Sequence, residues 1–78
     1  MKEENFSKLK EIFMAVFELS ESQVGSYRKI NNRKWDSLAT VTLIAAVESE
    51  FNILIEESAY EGFTSFSAVE LTLDEIGL

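Results

Sequence analysis

Proline occurs nowhere in this chain, and glycine only at positions 25, 62 and 77. A backbone with so few breakers is free to form helices, and the apolar spacing has a helical period. Phe6, Leu9, Phe13 and Val16 recur at three- and four-residue steps, with Ile12 and Phe17 widening the stripe. That pattern predicts a first helix from about Glu3 to Glu18. Alternation with a period of two is not sustained anywhere, so no sheet is expected. No repeat or low-complexity tract divides the 78 residues, which form one domain over 1–78. A chain this short hides only about 60–65% of its unfolded surface, so its core is thin.

From Leu19 to Trp35 the pattern dissolves into Ser20, Ser22, Gly25, Ser26, Asn31 and Asn32, all loop formers. Val24, Tyr27 and Ile30 are expected to pin this long connection to the core. A second helix is predicted to start at Asp36 or Ser37 and to run to about Phe51, with Asn52 as its stop. Thr40, Leu43, Ile44, Val47 and Phe51 share its core face. Leu38, Val41 and Ala45 lie beside that face and Glu48 continues their line, a second stripe that is either more core or a docking surface. Two or more side chains of Ile53, Leu54 and Ile55 are expected to be buried. Glu56 to Glu61 suit a short helix stopped by Gly62. The last helix has a capping box in Ser67 and Glu70 with Phe66 stapled on Leu71, and Ser65 is the competing cap. Phe66, Val69, Leu73 and Ile76 face inward, and Gly77 ends the helix. The fold class is therefore all-α: a small four-helix bundle of three main helices and one short one, with a long loop between the first two.

Composition excludes much chemistry. The chain has neither cysteine nor histidine, so disulfides are absent, and zinc, haem and iron–sulfur sites built on those ligands have none. Cys–His and Ser–His catalysis is unavailable as well. No Gly-rich phosphate loop and no Gly-x-Ser-x-Gly occur, and the consecutive Glu56 and Glu57 read as a solvated face. An enzyme is not expected, and no metal site is. No apolar run approaches the roughly 20 residues of a membrane span. The charged start Met1-Lys2-Glu3-Glu4 leads into no signal-like stretch, and a cytoplasmic monomer is the expectation.

Charge is divided along the chain. Residues 1–34 hold all seven basic residues and five acids, net +2, whereas residues 35–78 hold nine acids and no base, net −9. A one-signed segment repels nucleic acid and steers basic partner surfaces.

Asp36-Ser37-Leu38 stands at the junction of the long loop and the widest helix. A serine there is exposed at the positive end of a helix dipole, which favours a phosphate ester on its hydroxyl. The tripeptide alone is common by chance, and Asp36 and Ser37 can simply cap the helix. Its context is more specific. Downstream runs Thr40-Val41-Thr42-Leu43-Ile44-Ala45-Ala46-Val47-Glu48-Ser49-Glu50-Phe51, then Ile53 to Ile55 with Glu56 and Glu57, then Phe63-Thr64-Ser65. In these features, along nearly its full length, the chain resembles an acyl carrier protein. Trp35 before the motif, with Ala39 and Thr42 where housekeeping fatty-acid carriers usually have acids, looks more like carriers of specialised pathways.

The resemblance implies that Ser37 carries 4′-phosphopantetheine, a covalent arm transferred from coenzyme A by a phosphopantetheinyl transferase with Mg²⁺. The missing cysteine is then no obstacle, because the reactive thiol comes with the cofactor. Asp36 maps onto the acid that assists transferase docking. Leu38, Val41, Ala45 and Glu48 map onto the surface used by acyl-loading and acyl-using enzymes, which offer basic patches. A cargo cavity between the second helix and the last, lined by Leu43, Val47, Phe51, Ile55 and Phe63, is expected from their shared inward phase. The alternatives are an aminoacyl or D-alanyl carrier and an acidic helical adaptor with no prosthetic group.

Overall fold

A computed structural model describes all 78 residues. It is all-α, with three main helices, α1 (Glu3–Phe17), α3 (Ser37–Phe51) and α4 (Phe66–Glu75). A single turn, α2 (Glu21–Val24), and a 3₁₀ segment, Glu57–Gly62, complete the helical structure. There is no strand, only an isolated antiparallel bridge between Arg28 and Ser65. No helix is long and apolar enough to cross a membrane.

The main boundaries follow local chemistry. Glu3 and Glu4 put negative charge in the first turn of α1, where the helix dipole favours it. α1 ends at Glu18 and α3 at Asn52, both in the left-handed conformation, and each cap N–H donates to a carbonyl four residues back. Asparagine tolerates that backbone better than most residues, which is why Asn52 is a readable stop. The long connection contains structure that its loop-forming residues hide. Gln23 Oε1 accepts from the Ser20 N–H at 2.9 Å, closing the one-turn α2 and delivering Val24 into the core with no exposure.

Four expectations are corrected. Ile30 does not pin the loop; it is 70% exposed. The Asn32 N–H donates to the Lys29 carbonyl, and the turn so formed carries the Ile30 side chain outward. Of Ile53, Leu54 and Ile55 only Ile55 is buried, Ile53 being half-buried and Leu54 90% exposed. The segment is extended, and consecutive side chains of an extended chain point to opposite sides. α4 is capped by Ser65, whose Oγ accepts from the Ala68 N–H at 3.0 Å, not by Ser67. It ends one residue before Ile76, which leaves the buried stripe and stands half in solvent.

The core is one cluster of thirteen buried apolar residues, with no buried polar or charged residue in it. α1 is its spine. Both α3 and α4 pack on α1. An aromatic nest occupies the end of α1: Trp35 lies against Phe13, Phe17 and Tyr27 at centroid distances of 5.6, 4.9 and 5.8 Å. On the surface, Lys10 donates to Glu21 at 2.9 Å and ties α1 to α2. That hydrogen bond, with the lysine charge, holds the Glu21 carboxyl below its ordinary range. The pair's small contribution to stability is therefore present above the ordinary carboxylate pKa and is lost as the pH falls through the lowered one.

Candidate functional site

Trp35 fixes the start of α3. Its ring is 1% exposed, and its Nε1–H donates to Thr40 Oγ1 at 3.0 Å. Thr40 Oγ1 in turn donates to the Asp36 carbonyl at 3.2 Å, and the Thr40 N–H donates to the same carbonyl at 3.0 Å. Asp36 Oδ1 accepts from the Ala39 N–H at 2.8 Å and caps the helix. The backbone on both sides of residue 37 is thus held from the core side and from the helix side. Ser37 is the first helical residue and is exposed. The hydrogen bonds of this helix start are made by Trp35, Asp36, Ala39 and Thr40, and the Ser37 hydroxyl is left to solvent.

The second stripe of α3 is surface, not core. Leu38 is 73% and Val41 60% exposed, and Ala45 is exposed beside them. Thr42, next to this stripe, turns its Oγ1 back to the Leu38 carbonyl at 3.0 Å, so it adds no free polar group to the face. Glu48 differs from its neighbours on the line. It is half-buried, and its Oε2 accepts from the Ile55 N–H at 2.8 Å. It therefore fastens the extended segment after α3 to the helix. Glu48→Ala removes that acceptor and leaves a part-buried N–H unpaired, at an expected cost of about 1–3 kcal/mol. Glu48→Gln keeps an acceptor oxygen and should cost clearly less; urea denaturation of the two variants checks this.

Leu43, Val47, Ile55 and Phe63 are buried in the common core and Phe51 is half-buried. These five expected cargo-lining residues are brought together as packed side chains. The larger surface clefts lie elsewhere, along residues 19–34 and beside the Arg28–Ser65 bridge. One further cleft, of about 310 Å³, runs from Val16, Phe17 and Glu18 to Arg33, Lys34 and Asp36, next to Ser37. No group of three or more His, Cys, Asp or Glu side chains is placed to hold a metal ion.

No known protein family and no curated protein matches the sequence. The site is therefore judged on its own geometry. An exposed hydroxyl on a doubly fastened backbone, beside an apolar strip on a helix of an acidic chain, is suited to receive a bulky group from outside. The residues present fit a covalent phosphopantetheine at Ser37, since nothing in the fold encloses that hydroxyl. Sequence reasoning missed the Trp35–Thr40 bond and the inward hydrogen bond of Glu48. The signal for the first was available: a lone tryptophan five residues before a threonine, across a helix start, can bring its N–H to that hydroxyl.

Proposed function

We propose that this chain is an acyl carrier protein, modified on Ser37 with 4′-phosphopantetheine and serving a biosynthetic pathway rather than catalysing a reaction itself. The observation that carries this reading is the Ser37 hydroxyl, exposed at the first position of α3 while its neighbours on both sides are fastened. In the modification, Ser37 Oγ forms a bond to the β-phosphorus of coenzyme A, the pyrophosphate bond breaks, adenosine 3′,5′-bisphosphate leaves and the hydroxyl proton is lost. The bound group supplies a thiol on a flexible arm, on which acyl cargo is held as a thioester.

The chain's own residues supply presentation and recognition. Asp36, Leu38, Val41 and Ala45 form the surface around the attachment point that transferase and partner enzymes would meet. Leu38 and Val41 offer apolar contact, and the nine acids of residues 35–78 steer basic patches toward it. Such a carrier works in the cytoplasm with a phosphopantetheinyl transferase and with acyl-loading and acyl-using enzymes. The direct test is to incubate the apo-protein with coenzyme A, Mg²⁺ and a promiscuous transferase and to weigh it. A gain of one arm supports the reading; an unchanged mass under every competent transferase overturns it and leaves an acidic helical adaptor.

A cargo site would lie between α3 and α4, at side chains that are packed together in the core. Leu43, Val47, Ile55 and Phe63 would part to admit an acyl chain, with Phe51 at the margin. Each methylene buried contributes about 0.8 kcal/mol, so four or five offset a modest loss of core contact. A net gain of 1 kcal/mol raises the melting temperature of a domain this size by about 4–8 °C. Thermal unfolding of the octanoyl and holo forms is expected to differ by several degrees, and equal values would count against the site.

A further inference from the structure

Four of the seven basic residues, Arg28, Lys29, Arg33 and Lys34, fall within the stretch 28–34 that leads to Ser37. None of them forms a salt bridge; the two ion pairs of the chain are those of Lys10 with Glu21 and of the terminal amine with Asp74. The stretch is nevertheless held in shape. Asn32 donates from Nδ2 to the Arg28 carbonyl at 2.9 Å and accepts at Oδ1 from the Lys34 N–H at 3.0 Å. The Lys29 N–H donates to the Thr64 carbonyl at 2.8 Å.

Arg33 and Lys34 line two clefts. One includes Glu18 and Asp36, and the Asp36 carboxylate is already engaged by the Ala39 N–H. The other, of about 660 Å³, is lined by Arg28 as a third cation and by no carboxylate. Cations kept unpaired on an ordered backbone next to a modification point are disposed to meet an anion. Lys34 precedes Ser37 by three residues, a backbone span of at most about 11 Å, and both cations share a cleft with Asp36, the residue before the serine.

We infer that Arg33 and Lys34 clamp the phosphodiester of the arm on Ser37 and restrain its root against the loop that precedes the helix. This inference rests on the carrier reading. The clamp sets the direction in which the arm leaves the protein, and it weakens with salt. At 0.1 M ionic strength charges interact over about 10 Å, and at 1 M over about 3 Å.

The holo-protein contains a single phosphorus, so ³¹P NMR reads the clamp without any partner enzyme. In the wild type the ³¹P signal is expected to be shifted and broadened relative to that of a short unstructured peptide carrying the same serine-linked phosphodiester arm (the free position), and to move toward the free position as NaCl is raised from 0.05 to about 1 M. In the Arg33→Gln/Lys34→Gln double variant the signal is expected near the free position at all salt concentrations. The Arg28→Gln/Lys29→Gln variant, with far-ultraviolet circular dichroism as a check on folding, is expected to keep most of the wild-type shift. Identical signals in wild type and the Arg33/Lys34 variant overturn the clamp while leaving the carrier reading intact. Failure of the wild type to take up an arm overturns both.

Discussion

Trp35→Ala is expected to destabilise the fold by about 3–5 kcal/mol, the range for removing a large aromatic side chain from a core. The ring is fully enclosed and meets Phe13, Phe17 and Tyr27 at once. These contacts join the end of α1, the long connection and the start of α3. A domain of 78 residues has a total stability of about 4–12 kcal/mol, so the variant would unfold in mild urea or at little above ambient temperature. Far-ultraviolet circular dichroism is the appropriate probe, because the substitution removes the only tryptophan. Thr40→Val separates packing from hydrogen bonding. It preserves side-chain shape while leaving the indole N–H without its acceptor, and its expected cost is about 1–3 kcal/mol. A Trp35→Ala cost under about 1 kcal/mol would mean that the aromatic nest does not organise the start of α3, and the account of how Ser37 is positioned would fail with it.

Helix positions were legible where period and cap agree. α1 and α3 fall within a residue of their expected limits because each carries a dense apolar stripe that ends there, and in α3 Asn52 adds a stop that tolerates the left-handed conformation. The start of α4 was less legible because Ser65 and Ser67 are equivalent as local caps. The choice depends on the Phe66 N–H, which donates to the Tyr27 carbonyl across the fold at 3.0 Å, a tertiary bond with no local signature. Ile30 and Ile76 were misassigned, and Ile53 is less buried than expected, for a related reason. Apolar character says that burial is favourable, but the backbone direction that decides it is set at these places by turns, by extended alternation and by a helix end. In the site, Asp36 as cap and Ser37 as exposed residue could be read from the motif. The aromatic packing of Trp35 could not be, because its ring partners come from α1 and from Tyr27. Nor could the hydrogen bond of Glu48, which lies on the outward line of the helix wheel yet turns its carboxylate to the Ile55 N–H.

Ser37→Ala is expected to abolish attachment of the arm completely and to leave stability within about 0.5 kcal/mol of the wild type, as for most exposed substitutions. The two outcomes follow from one geometric fact: Ser37 is not the cap of α3. Asp36 accepts the Ala39 N–H, so the hydroxyl at position 37 is free of structural duty. Asp36→Ala should behave in the opposite sense. It removes a side-chain cap and costs about 0.5–2 kcal/mol, yet leaves the nucleophilic oxygen in place, so arm attachment slows without vanishing. Intact mass after incubation with transferase and coenzyme A, set beside urea midpoints for the same two variants, separates the roles. If Ser37→Ala still gains an arm, another hydroxyl is the acceptor and the assignment of this helix start is wrong. If Ser37→Ala costs as much stability as Asp36→Ala, the serine serves the fold, and the argument from an unengaged hydroxyl no longer holds.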